Sequence, residues 1–330
     1  LDIYVYTKIG FMETDNGINT VADFIKCIFE KISTFERDVN DQIFWFRGES
    51  SKDFKTPLVP SINRIPVEDI KAHKIKIKED IYLKRLQLAE NNIAADFYRK
   101  AHPYIASKRI DNTPWNRYFL MQHYKIKTRL LDWTENCLLA LFFALSDTVA
   151  KNDDAKIWIL KPFELNNRSI QLILKSENEC KEIPTIGRIQ ESGGIFNKNG
   201  DFRFDELTRR YFMMDFEPRE GEDISATYYP LSIYPTYLDQ RMSAQRTCFT
   251  IFGNKIDGLL SLPIGKRKVF DFIIIPNKSK EPILNELKLL GIDYSSIYPD
   301  LDGLGNSINE EFKNQMNINL DSMLRRNEND

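Results

Sequence analysis

The sequence predicts an α+β fold: a single mixed domain with a central, largely antiparallel sheet, entered through a helical lead-in. Three observations predict the class. Strand-type runs rich in Ile, Val, Phe and Trp recur at 42–50, 128–133, 155–162, 231–237, 248–252 and 268–276. Segments with apolar residues at helical spacing lie among them. No internal repeat and no low-complexity linker divides the chain.

The first helix is expected over 20–35, where Val21, Phe24, Ile25, Ile28, Phe29 and Ile32 share one face and Thr20 with Asp23 forms a capping box variant. The aromatic strand 42–50 follows and closes at Gly48. Two prolines make 56–64 an ordered, extended loop rather than a helix. A long helix is expected within 67–101. Another is expected over 113–124, with Pro114 in its first turn, where the missing N–H costs nothing. The strand 128–133 leads into an apolar helix that Thr134 is placed to cap. The stretch 163–225 is the least regular, with a weak helix candidate at "FRFDELTRRYFMM". The segment 279–292 reads as a helix with a glycine stop. "IYPDLDGLG" (297–305) reads as a capped turn, and the polar tail after about 308 as a frayed helix. The expected organisation is a lead-in at 1–39, a main domain at 40–305 and a tail at 306–330.

With 330 residues, 42% hydrophobic and 12% aromatic, the chain can bury a sizeable core. Its net charge of −2 gives no global reason for binding a phosphate backbone, although "KAHKIKIK" (71–78) is locally basic. Cys27, Cys137, Cys180 and Cys248 are isolated, three of them inside apolar runs. That argues against a zinc site or a disulfide framework and for a reducing, cytoplasmic setting. The longest apolar run, 137–145, is half of what a membrane span needs, and no signal peptide is visible in a chain that starts at Leu1.

Two stretches carry chemistry. "FWFRG" puts Arg47 inside an apolar strand, where it must be paired or face a cavity, because an unpaired buried charge is too costly. Gly48 beside it admits the close approach of a backbone or a ligand. "QHYKIKTRLLDWT" gathers His123, Tyr124, Thr128, Arg129, Asp132, Trp133 and Thr134 ahead of the apolar helix. Strand alternation puts Thr128, Leu130 and Asp132 on one face and Arg129, Leu131 and Trp133 on the other. Arg129 is expected to face the ligand and Asp132 to be structural. Gln245 and Arg246 stand at the mouth of a later strand. Each also has an ordinary reading as a core histidine, a salt bridge or a turn. Walker A, G-x-G-x-x-G, G-x-S-x-G and H-E-x-x-H patterns are absent from the sequence.

Together, "FWFRGES", "MQHYKIKTRLLDWTENCLLALFFA", "QRMSAQRTCFTIF" and "LKLLGIDYSSIYPDLDGLG" resemble the FRG domain family, whose signature is a Phe-x-Arg-Gly-type strand. The order matches from about residue 40 to 305. Two positions depart from the family pattern, which usually has glycine where this chain has Lys125 and commonly has one ahead of the "CFT" strand, where Arg246-Thr247 stands. The family's layout is similar to the ADP-ribosyltransferase plan. That resemblance implies an NAD-dependent transferase, a toxin or phage-defence effector that modifies protein or nucleic acid, with an antitoxin or defence-complex partner. It implies catalytic roles for Arg47, His123, Thr134 and Gln245. It implies binding of NAD, as substrate, by Arg47, Tyr124, Thr128, Arg129 and Trp133, and requires no metal. Gln245 stands where that plan has a glutamate, and an amide stabilises developing positive charge poorly. The alternative is a non-catalytic domain that binds a nucleotide, RNA or a partner protein in the same arginine cleft. On either reading, Arg47, His123, Arg129 and Gln245 should line one concave pocket.

Overall fold

The strand-type runs become β1 (Trp45–Glu49), β2 (Leu130–Thr134), β3 (Ala155–Leu160), β5 (Leu231–Pro235), β6 (Thr247–Ile251) and β7 (Phe270–Ile275), and a short β4 (Thr185–Ile186) forms within the stretch expected to be least regular. The structure is a computed structural model that describes residues 17–35, 42–64, 79–107, 110–111, 113–146, 152–174, 183, 185–186, 211, 229–265 and 267–327. Among these, the strands form one sheet in the order β4-β5-β6-β2-β1-β3-β7. Every neighbouring pair is antiparallel except β4 with β5, which is parallel. The expected α+β class with a largely antiparallel central sheet is therefore present.

The helices are α1 (Val21–Ser33), α2 (Glu79–Ser107), α3 (Pro114–His123), α4 (Cys137–Leu145), α5 (Pro162–Leu174), α6 (Gln240–Ala244), α7 (Lys280–Leu289), α8 (Tyr294–Ile297) and α9 (Leu301–Asn327). Thr20 and Asp23 close the capping box of α1, and Thr113 caps α3. At the end of α7 the chain turns through Gly291 at φ 78°, the left-handed conformation glycine adopts most readily.

Four expectations change. The apolar helix begins at Cys137 and is capped by Asn136, whose side chain accepts from the Leu138 N–H at 2.9 Å. Thr134 is still in the strand, where the Thr134–Thr247 ladder to β6 needs it. Residues 162–174 form a helix where irregular structure was expected; Pro162 suits a first turn and Leu165 and Ile170 face the core. The loop at 56–64 ends in a helical turn over 61–64. The glycines of 297–305 open α9 rather than a simple turn, with the Asp300 carboxylate accepting from the Gly303 N–H at 2.8 Å. The candidate loop and helix within 187–210 and 212–228 lie outside the described residues, as does Cys180.

Period-two alternation assigns the two faces of the sheet. On one face, Phe46, Ile157, Ile159 and Ile273 pack under α1, α4 and α7. Further along the same face, Leu130, Ile233, Phe249 and Ile251 pack under α3. The opposite face carries Trp45, Leu131, Trp133, Trp158 and Leu160 against Leu58, Leu165 and Leu259. α3 and α4 thus cover one face side by side, and the site lies between them.

Candidate functional site

α3 ends before it reaches α4, and the sheet between them is left uncovered. The result is a cavity of about 280 Å³. Its floor is Phe46 and Gly48 of β1, Asp132 and Thr134 of β2, and Thr247 and Phe249 of β6. Gln122, His123 and Lys125 come from the end of α3, Ala140 and Phe143 from α4, and Arg241, Met242 and Gln245 from α6 and its C-cap. Tyr298 closes one side.

Arg47 reaches this cavity because the sheet opens beside it. The β1–β2 ladder contains one pair, Phe46 with Thr134. Past that pair, the Arg47 guanidinium takes over, its Nη1 donating to the Asp132 carbonyl at 2.8 Å. Its Nε lies 3.7 Å from the Glu49 carboxylate, which also accepts from Leu58 N–H and from the Trp158 indole. Gly48 serves a helix, not a ligand. A Cβ there would stand 2.1 Å from the Ala140 carbonyl oxygen and 2.8 Å from the Ala144 nitrogen, so only glycine lets α4 lie this close.

His123 Nε2 sits 3.0 Å from an Asp239 carboxylate oxygen. Asp239 also caps α6, accepting from the Met242 N–H at 2.9 Å. The end of α3 is therefore tied to the helix that carries Arg241 and Gln245. Thr134 Oγ1 donates to the Gln245 carbonyl at 2.8 Å and accepts from Asn136 N–H at 3.1 Å, which leaves the Gln245 side chain to reach the Ile297 carbonyl at 3.3 Å. The Arg241 guanidinium lies 4.5 Å from the centre of the Tyr298 ring. Burial raises the Tyr298 phenol above its ordinary value although Arg241 opposes the shift, so it remains a neutral hydroxyl. Arg47 Nε and Arg241 Nε are both buried with no hydrogen-bond partner among the described residues.

The structure brings together Arg47, His123, Thr134 and Gln245. It does not bring Arg129 to them. Arg129 is 2% exposed; its Nε donates to Glu90 at 2.8 Å, Nη1 to the Phe252 carbonyl at 2.7 Å and Nη2 to the Tyr211 carbonyl at 2.6 Å. Burial alone would lower its pKa, but the Glu90 carboxylate outweighs that and holds the pKa above the ordinary value. Tyr118, held neutral by burial and by the same carboxylate, donates to Glu90 and accepts from the Arg129 N–H. This arginine staples α2 and α3 to the sheet.

Four other expectations are corrected by placement. Trp133 turns its indole to the opposite face, 3% exposed and donating to Thr250 Oγ1 at 3.1 Å, so it offers the cavity no ring. Tyr124 is 51% exposed and outside the cavity lining. Thr128 is buried and donates to Gln122 Oε1, acting on the cavity only through that amide. Asp132, expected to be structural, is the exposed member of β2 and lines the floor. Sequence reasoning also missed Gln122, Lys125, Arg241, Phe143 and Tyr298. Gln122 stands next to His123, and Arg241 and Tyr298 lie within the quoted "QRMSAQRTCFTIF" and "LKLLGIDYSSIYPDLDGLG" blocks, in which neither was singled out.

Residues 42–153 match the family model of the FRG domain. Over that segment the chain is similar to the FRG domain family. No curated protein and no solved structure matches the chain. The FRG match contains β1, α2, α3, β2 and α4, and with them the floor positions Phe46, Gly48, Asp132 and Thr134. Arg241, Gln245, Thr247, Phe249 and Tyr298 lie outside the matched segment yet complete the same cavity. The two departures from the usual FRG glycines fall on strained backbone. Lys125 has φ 60° and Arg246 φ 45°, the left-handed region that costs a residue with a Cβ about 1–2 kcal/mol. At Lys125 the reason is visible: Ile126 N–H bonds to the Met121 carbonyl at 2.9 Å and Lys125 N–H to Gln122 at 3.0 Å, the helix-ending arrangement that favours glycine. In its place the chain has a lysine at the rim of the cavity. Among the described residues, no group of three or more metal-ligating side chains is gathered, and no helix is long and apolar enough to cross a membrane.

Proposed function

We propose that the cavity binds a nucleotide through its phosphates and acts on it as an ADP-ribosyltransferase-like site. The observation that carries this reading is the convergence of Arg47, Thr134 and Gln245 from three distant segments into one cavity. Arg241 and Lys125 take the place of Arg129 as the second source of positive charge. The buried Nε–H of Arg241 is a donor without an acceptor among the described residues, and a bound phosphate would supply one; Arg47 Nε–H makes no hydrogen bond there and lies 3.7 Å from the Glu49 carboxylate. Phe143, Phe249 and Tyr298 offer aromatic surface for a base or a nicotinamide ring. At about 280 Å³ the cavity is at the small end of the roughly 300–1,000 Å³ of typical ligand sites. It would enclose one nucleoside-sized half of a dinucleotide and leave the other at the rim, near Lys125.

The second reading, nucleotide binding without chemistry, is favoured by Gln245, an amide where the transferase plan has a carboxylate. Calorimetric titration with NAD and ADP-ribose, together with nicotinamide release from NAD, separates the two. The transferase reading expects both binding and release, with either lost on Arg241→Ala or Gln245→Ala. Binding without release, with or without nucleic acid or a protein acceptor, leaves the second reading standing. Absence of binding by either compound would remove both.

A further inference from the structure

We infer that Asp132 is the carboxylate that meets the cationic part of the substrate in this cavity. The inference rests on the nucleotide reading above and supplies the acidic group that Gln245 does not.

Strand alternation puts Asp132 on the helix-covered face with Leu130 and Thr134, opposite Phe249 of β6. Its neighbours on that strand are all buried, and it alone is exposed. The exposure is toward the cavity, whose floor it forms beside Thr134. Two residues along a strand span about 7 Å, which is the spacing of Asp132 from Thr134 on the cavity floor. The side chain is held in place. Gln122 Nε2 donates to Asp132 Oδ2 at 2.8 Å, and the Thr128 hydroxyl fixes that amide by donating to its Oε1. Oδ1 is left without a partner among the described residues. The Asp132 carbonyl accepts from Arg47 Nη1 at 2.8 Å, so the phosphate-binding cation and the carboxylate are locked to one residue. A chain of hydrogen bonds that starts at the buried Thr128 and ends in an exposed carboxylate is a presentation device.

The chemistry needs such a group. The nicotinamide ring of the oxidised dinucleotide is positively charged. When its N-glycosidic bond breaks, the electron pair leaves with the ring nitrogen and the positive charge passes to ribose C1′. A carboxylate facing C1′ stabilises that cation. Water or an acceptor hydroxyl then bonds to C1′, and its proton passes to Asp132 and on to solvent. With water, the products are nicotinamide, ADP-ribose and one proton.

The test compares wild-type protein with Asp132→Asn and Asp132→Glu, using calorimetric titration with oxidised NAD and with NADH, whose ring is neutral, and nicotinamide release. Asparagine keeps an oxygen for the Gln122 bond, and the thermal midpoint of each variant checks that it folds. Wild type should prefer the oxidised form, and Asp132→Asn should bring the affinity ratio toward one and slow release by about 10²-fold. Asp132→Glu should keep the preference. If Asp132→Asn retains both the preference and the release rate while Arg241→Ala abolishes binding, the assignment of Asp132 fails and the nucleotide reading survives. If neither form of the dinucleotide binds the wild type, the nucleotide reading fails and the assignment with it.

Discussion

Arg129 shows how a single side chain decides between scaffold and site. Its guanidinium spends its donors on Glu90 and on the carbonyls of Phe252 and Tyr211, and all of these contacts are buried. Arg47 is also largely enclosed, but it bonds one carbonyl, lies 3.7 Å from Glu49 and keeps a buried Nε–H without a hydrogen-bond partner among the described residues. Arg129→Ala would strand the Glu90 carboxylate in the interior, and breaking a buried pair from one side typically costs about 3–5 kcal/mol. We therefore expect urea denaturation to show a loss of that size. Ligand affinity of the fraction that remains folded should be unchanged, because Arg129 does not reach the cavity. A variant of native stability that no longer binds would return Arg129 to the site.

α4 is the element that fixes the floor. Its apolar run is buried on nearly every side, with Leu139, Leu141, Phe142 and Leu145 in one core cluster, which is why it shows no polar face in the sequence. It can pack against β1 only because position 48 has no side chain. Gly48→Ala should push α4 off the strand and cost about 1–3 kcal/mol, the usual range for overpacking. Thermal unfolding would measure that loss. The same substitution should weaken nucleotide binding, since Phe46 and Arg47 flank the displaced contact. An unchanged midpoint would mean that α4 moves away without strain, and that the close approach is not required.

At the scale of the molecule, the FRG match and the folding unit do not coincide. β1 and β2 are neighbours in the middle of the sheet, joined by one ladder pair. Their extensive pairing is with β3 and β6, which both lie beyond residue 153. A fragment of residues 42–153 would therefore expose both long edges of its two strands and one whole apolar face. We expect it to lack a cooperative unfolding transition and dispersed amide resonances, while a fragment reaching residue 297 would show both. A cooperative transition in the shorter fragment would show that its helices alone can support the two strands.

The sequence determined every strand but β4, most of the helices, the cap of α1, the stop of α7 and the two motif segments. Those depend on local periodicity and on residues such as Thr20 and Gly291, which act within a few positions of themselves. Of Arg47, His123, Arg129 and Gln245, the residues expected to line one pocket, the structure gathers all but Arg129. Helix α5 was hidden because its start, Pro162, follows directly on a strand. Alternation correctly split β2 into two faces, but it could not say which face looks onto the cavity. Only the tertiary structure decided that. α2 brings Glu90 from 39 residues away to neutralise Arg129 on one flank, while the gap between α3 and α4 leaves Asp132 open on the other. Strand periodicity fixes which side chains share a face, and what covers that face is set by distant packing that no local pattern records.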